Sequence, residues 1–278
     1  MHLGGEEKVA SPVNDSWLGF TREDRPSFSC SRVDFLYQAD FPSLVPAIGD
    51  LFAGERLTNA ALGRFRAHVA SGSGLTPLDR RFLADAFRSW LGANGVDADD
   101  DAVKGDIAET VFLRLRTTDT FGQPVRYRKK TEAISSKTAG WDVLEVFLTD
   151  EPWFILWEAK GTDEAVNTQA WHARRELNER NGPWLAKLSR LLEEEFLQSD
   201  GEEAAAFAAT LHERAMKKDA SYNVGIALVV DAQHFPADGW EVFGAETMSS
   251  AKQWGTLVGL PEFPKLRERV RKWILEQP

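Results

Sequence analysis

The sequence predicts an α/β fold, a mixed β-sheet flanked by helices, with a helical N-terminal region and a helical hairpin inserted late in the chain. Three observations carry this. Beyond about residue 120, short apolar or alternating runs are interleaved with longer runs of helical period. Turn-forming residues punctuate the boundaries, as in Thr149-Asp150-Glu151-Pro152. From Phe41 to Asn94, by contrast, only the helical period is found. The expected division is a mostly helical region over 1–100 and an α/β core over 101–278, with the helical hairpin at about 183–218.

Taken in order, residues 1 to about 30 are polar and turn-rich, and their start is expected to be poorly ordered. "FPSLVPAIGDLFAG" reads as a helix stopped by Gly54, and "LTNAALGRFRAHVASGSG" as a second with Asn59 as its cap. "TPLDRRFLADAFRSWLGANG" offers Thr76 as N-cap and Pro77 in the first turn, with Leu78, Phe82, Phe87 and Leu91 as one apolar stripe. "GVDADDDAVKGD" holds five aspartates but lacks the alternating ligands, central glycine and closing glutamate of an EF-hand loop, so it reads as a solvated linker. "DAVKGDIAETVFLRLRTT" is a helix with Ile107, Val111 and Leu115 in line. "PVRYRKKTEAI", "GWDVLEVFL" and "WFILWEAKG" are strands. "DEAVNTQAWHARRELNER" is a helix with Thr162 or Asp163 near its cap. Two helices then form the hairpin around Ser199-Asp200-Gly201. "YNVGIALVVDA" is an apolar strand, "GWEVFGAE" a further candidate, and "FPKLRERVRKWILEQ" a closing helix.

Several function classes are disfavoured. No run approaches the roughly 18 apolar residues of a membrane helix, and the start lacks a basic-then-apolar signal pattern. The single cysteine, Cys30, excludes an internal disulfide and a cysteine-built zinc cluster, and a reducing cytoplasm is the expected setting. His2, His68, His172, His212 and His234 show no zinc-hydrolase spacing. There is no P-loop, so ATP hydrolysis would have to come from a partner, and no G-x-S-x-G elbow. The net charge of −10 argues against a protein that coats nucleic acid nonspecifically. Locally the sign reverses: Arg126, Arg128, Lys129, Lys130 and Lys137 face only Glu132 between Phe121 and Gly140. A charge run is usually a solvated face, but this one leads directly into the chemistry below.

In "WFILWEAKGTD" an apolar strand ends on Glu158 and Lys160. Strand side chains alternate, so these two share a face with Phe154 and Leu156. Asp142 opens the preceding strand, at the same end of the expected hairpin. Two carboxylates on neighbouring strands can bind a hard cation such as Mg²⁺, which prefers oxygen ligands and retains water. Such an ion polarises a phosphate oxygen and acidifies a bound water. A lysine alongside can orient that water or neutralise developing charge. A plain salt bridge of Lys160 to Glu158 or Asp142 is the alternative. Register discriminates. A four-residue loop would set Asp142 across from Ala159, pointing away from Glu158. The site therefore requires an odd loop or a bulge.

"GWD" (140–142), followed by "EAK" (158–160), resembles the PD-(D/E)XK nuclease superfamily, whose fold is restriction-endonuclease-like. Members carry a metal-binding Asp on one strand and Glu-x-Lys on the next. Many add an acidic residue on the helix before the sheet, and some a Gln on the helix after it. The resemblance implies Asp142 and Glu158 as metal ligands and Lys160 as the residue assisting water attack. It further implies Glu109 as an additional metal or water ligand and Gln169 as a helper near Lys160 or the phosphate. Glu109 lies off the Ile107/Val111/Leu115 stripe, and both it and Gln169 can equally be read as surface residues. Gly140-Trp141 stands where the superfamily's name has its proline. Over about residues 104–180 the order of "GDIAE", a basic strand, "KTAGWD" and "WEAKGTDEAVNTQA" is similar to HamA-type proteins. These are nuclease subunits of Hachiman antiphage defence, which act with a large helicase, HamB.

The expected activity is therefore Mg²⁺-dependent hydrolysis of DNA phosphodiesters, with Mn²⁺ as a substitute. Arg126, Arg128, Lys129, Lys130 and Lys137 would hold phosphates, and a helicase partner would govern access to DNA. The alternative is a non-catalytic adaptor or nucleic-acid-binding subunit on the same fold, with Glu158–Lys160 as a structural pair.

Overall fold

The computed structural model describes residues 20–26, 30–37, 41–72, 75–86, 100–118, 127–130, 142–147, 153–163, 166–179, 209–210, 213, 222–236 and 252–276. Among them are seven strands: β1 (Phe20–Pro26), β2 (Cys30–Tyr37), β3 (Tyr127–Lys130), β4 (Val143–Phe147), β5 (Trp153–Thr162), β6 (Tyr222–Asp231) and β7 (Lys252–Leu260). The principal helices are α1 (Phe41–Arg56), α2 (Asn59–Ser71), α3 (Pro77–Ala86), α4 (Asp100–Thr118), α5 (Val166–Glu179) and α6 (Phe263–Glu276). The strands form one mixed sheet in the order β1-β2-β7-β6-β5-β4-β3. Its middle four, β2, β7, β6 and β5, are parallel. Antiparallel pairs close both ends, β1 on β2 and β4–β3 beyond β5.

Pairing register assigns the faces. Gly161, Val229, Val258 and Phe35 lie in register across β5, β6, β7 and β2. Their face meets α1, α4 and α6 through Phe52, Ile107, Val111, Leu266 and Val270, all fully buried. Helix α5 packs on the opposite face, over β5 and β6. Parallel strands covered on both sides should be apolar along their length, and β6 is so from Val224 to Val230.

Three strands escape the sequence reading: β1, which lies in the polar, turn-rich stretch before residue 30, and two that are hidden for identifiable reasons. In β2, Val33, Phe35 and Tyr37 alternate toward the core, but Arg32 and Asp34 between them disguise the strand. These two are also buried, because they satisfy each other through bonds of 2.7 and 2.6 Å. In β7 (KQWGTLVGL), two glycines and burial on both faces erase alternation. The expected boundary near residue 100 does not separate two cores. One apolar cluster runs from Val33 through α1 and α4 to Ile274, and β2 belongs to the same sheet as β5.

The helices need smaller corrections. α1 runs on past Gly54 to Arg56. Thr58 rather than Asn59 caps α2, its Oγ1 accepting from the Ala61 N–H at 3.4 Å. Thr76 does cap α3: its Oγ1 accepts from the Asp79 N–H, and the Asp79 carboxylate accepts from the Thr76 N–H and hydroxyl, a capping box. The expected α3 stripe is rotated. Leu78 and Phe82 are exposed at 76% and 44%, and Leu83 is the buried residue. Phe87 and Leu91 lie outside the described residues, as do "GWEVFGAE" and nearly all of the hairpin at 183–218.

The β4–β5 hairpin is anchored from below by a buried polar triad. The Arg116 guanidinium on α4 donates to both Glu145 oxygens at 2.9 Å, and Trp157 Nε1 donates to Glu145 Oε2 at 2.8 Å. Trp157 also meets Phe112 with ring centroids 4.8 Å apart. Across the sheet its register partner is Gly225, where a β-carbon would stand 2.3 Å from the indole. Trp157 is thus a core residue under a helix, as its place in the alternation predicts.

Candidate active site

Glu158 and Lys160 stand where β5 leaves the core. Phe154 and Leu156, on their side of the strand, are fully buried, Glu158 is 2% exposed, and Lys160 is half-buried. The partner strand supplies Asp142. Val143 pairs with Trp157 and Phe147 with Trp153, so five residues, an odd number, separate the paired ends. Continued by one residue, this register sets Asp142 level with Glu158. The Asp142 N–H donates to the Trp157 carbonyl at 2.9 Å, and its Oδ2 accepts from the Ala159 N–H at 2.6 Å. The carboxylate therefore lies against the backbone between Glu158 and Lys160. The register condition is met by the odd connection.

Charges crowd here. Lys160 Nζ is 2.6 Å from Glu158 Oε1 and 2.9 Å from Glu176 Oε2. Glu158 Oε2 is buried and receives no hydrogen bond. Burial raises the Glu158 carboxyl to about 8; Lys160 pulls it down, and the adjacent Glu176 carboxyl pushes it up. Asp142 is raised well above its ordinary value, first by burial, then by Glu158 and Glu109, against the opposing effect of Lys160 and the Ala159 N–H. For Lys160, burial works to lower the ammonium, but Glu158, Asp142 and Glu176 outweigh it and hold the group above its ordinary value. The site thus gathers carboxylates around a single ammonium in a poorly hydrated place.

Glu109 comes to this cluster from α4, half-buried and near enough to raise the Asp142 carboxyl. Gly161 makes that approach possible. A β-carbon there would lie 2.8 Å from the Lys104 carbonyl oxygen and 3.2 Å from the Ala108 methyl, so α4 crosses β5 close against Gly161, at the strand end but on the face opposite Lys160. Asp163 is not a helix cap, since β5 continues through Thr162 and α5 begins at Val166. Instead its carboxylate meets Lys104 Nζ at 3.3 Å and Arg267 Nη2 at 2.6 Å, fixing α4 and α6 to the end of the strand.

On α5 the side chain that meets Lys160 is Glu176, which sequence reasoning missed. Gln169 is half-buried and lies seven residues earlier, roughly 10 Å along the axis at 1.5 Å per residue. The missing signal was helical phase. Val166, Ala170, Ala173 and Leu177 form the buried stripe, and Glu176 flanks it on the same side as Gln169. Of the basic candidates, Arg128, Lys129 and Lys130 lie on β3, in register with Glu145, Leu144 and Val143 at the sheet's outer edge. Arg126 and Lys137 lie outside the described residues.

Among the described residues no group of three or more His, Cys, Asp or Glu stands ready to hold a metal ion. The donor set nonetheless fits a hard cation that takes two protein carboxylates and completes its shell with water. Asp142 and Glu158 are adjacent, and one Glu158 oxygen is buried without a donor. No helix among the described residues is long and apolar enough to cross a membrane. Compared with protein-family models and with curated proteins, the chain matches none.

Proposed function

We propose that the chain is a metal-dependent DNA nuclease of PD-(D/E)XK type, with a restriction-endonuclease-like arrangement of its sheet. The observation that carries the reading is the odd register of the β4–β5 hairpin. It brings Asp142 level with Glu158, beside Lys160, where the bare triplet in the sequence left their meeting open. Glu158's buried, donor-less oxygen adds to it, because an uncompensated carboxylate oxygen is costly unless a cation or proton uses it.

In this reading Asp142 and Glu158 would hold Mg²⁺ or Mn²⁺, with Glu109 in support from α4. When bound, such an ion supplies Lewis-acid polarisation of a phosphate oxygen. Lys160 presents a permanently charged ammonium to the scissile phosphate and the attacking water, offsetting charge that builds up in the transition state. Burial of Glu158 limits competing water, which strengthens each of these interactions. Gln169 is assigned to the phosphate rather than to Lys160. The basic segment with Arg126, Arg128, Lys129, Lys130 and Lys137 would carry the DNA backbone into the site, and a chain with a net charge of −10 suits a subunit that borrows DNA affinity from a helicase, as in HamA-type defence nucleases.

Plasmid degradation in Mg²⁺, and phage protection in cells with the helicase partner, should be lost in Lys160→Ala and in Glu158→Ala. Undiminished cleavage and protection in both variants would favour the adaptor reading instead. That second reading draws on the same ion pairs, since a lysine held at 2.6 and 2.9 Å by two carboxylates also stabilises a strand end.

A further inference from the structure

We propose that Glu176 is a positioning residue that keeps the Lys160 ammonium in the site when Glu158 turns its carboxylate to a divalent cation. The inference rests on the nuclease reading above and extends it by one residue that the sequence motif does not contain.

One ammonium is shared by two carboxylates from different elements, Glu158 on β5 at 2.6 Å and Glu176 on α5 at 2.9 Å. The two are not equivalent. Glu158 is almost fully enclosed and stands beside Asp142, whereas Glu176 keeps 26% of its side chain exposed at the rim. A cation held by Asp142 and Glu158 competes with Lys160 for Glu158 Oε1 and repels the ammonium at the same time. A lysine on four rotatable bonds would then leave for water, where its charge is best solvated. A second carboxylate, anchored elsewhere, removes that route. α5 is a firm anchor: Val166, Ala170, Ala173 and Leu177 seat it on the sheet, so Glu176 is held over Lys160 independently of the β4–β5 hairpin. A neutral side chain such as Gln169 does not compensate an ammonium in this way. The carboxylates on either side of Lys160 therefore divide the work: Glu158 serves the cation, and Glu176 serves the lysine.

The test uses the full chain carrying Glu176→Gln or Glu176→Asp, with three readouts. Calorimetry measures Mn²⁺ binding without DNA. Acylation of Lys160 by an amine-reactive ester, read by peptide mass spectrometry with and without Mn²⁺, reports where the ammonium resides. Plasmid cleavage with the helicase partner present separates kcat from KM. The expected result for Glu176→Gln is that Mn²⁺ raises Lys160 acylation about tenfold, while in the parent chain it changes less than about twofold. In the same variant kcat falls at least about tenfold with KM within about twofold, and Mn²⁺ still binds. Glu176→Asp, which keeps the charge, recovers part of both effects and serves if the amide variant does not fold. Parental acylation and parental kcat in Glu176→Gln overturn the role of Glu176 and leave the nuclease reading standing. A parent chain that neither binds Mn²⁺ nor cleaves DNA with its partner overturns both.

Discussion

Glu158 is an ionisable group in surroundings that disfavour its charge. Its carboxyl ionises near 4.5 in an unfolded chain and near 8 in the fold. Between those values the unfolded chain gives up a proton that the folded chain keeps. The stability tied to this group is therefore complete below pH 4.5 and is lost as pH rises through about 8. In the absence of divalent ions, the melting temperature should fall across this window more steeply than in Glu158→Gln. Identical pH profiles for the two proteins would count against a buried, raised Glu158. Gly161 makes a second residue-scale prediction. Its missing β-carbon leaves room for the Lys104 carbonyl, a backbone atom that cannot turn aside. Gly161→Ala should cost roughly 1–3 kcal/mol in urea unfolding, the usual penalty for overpacking, and should displace α4 with Glu109. A change below about 0.5 kcal/mol, the range of an innocuous surface substitution, would show that α4 is not pressed against the strand.

Elements are held to one another here by buried polar pairs as well as by apolar contact. Arg116 and Glu145, both fully buried, join α4 to β4, and Trp157 joins them from β5. Removing one partner strands the other charge in the interior. Arg116→Met should destabilise the chain by about 3–5 kcal/mol, and combining it with Glu145→Gln should return part of that loss. Chemical denaturation of the two variants checks this, and equal losses in single and double variants would refute the coupling. The elements that were legible in the sequence are those whose pattern is undiluted: the apolar β6, the triplet-bearing β5, and α4 with its stripe. β2 was hidden because Arg32 and Asp34 neutralise each other inside the sheet, and β7 because burial on both faces leaves nothing to alternate. The same division holds at the site. Strand spacing places Glu158 and Lys160 on one face, Asp142 joins them only through the five-residue connection, and Glu176 depends on which way α5 faces, a property set by its docking on β5 and β6.

For the whole molecule, cation binding and folding are linked, because the proposed ligands Asp142 and Glu158 come together only when β4 has paired with β5. At a free Mn²⁺ concentration about 100 times its dissociation constant, the folded chain should gain about 2.7 kcal/mol. The melting temperature should rise by several degrees, and the rise should vanish in Glu158→Gln. An equal shift in that variant would place the ion elsewhere.

The sheet order has a temporal consequence. β2 is seated between β1 and β7, and its partner β7 lies more than two hundred residues later in the chain. On a ribosome the β1–β2 hairpin emerges more than two hundred residues before β7, the strand that pairs with its open edge. Long-range parallel pairing of this kind slows folding, since loop closure precedes any gain from contact. The interval before β7 arrives is therefore when the unpaired edge of β2 is most open to other chains.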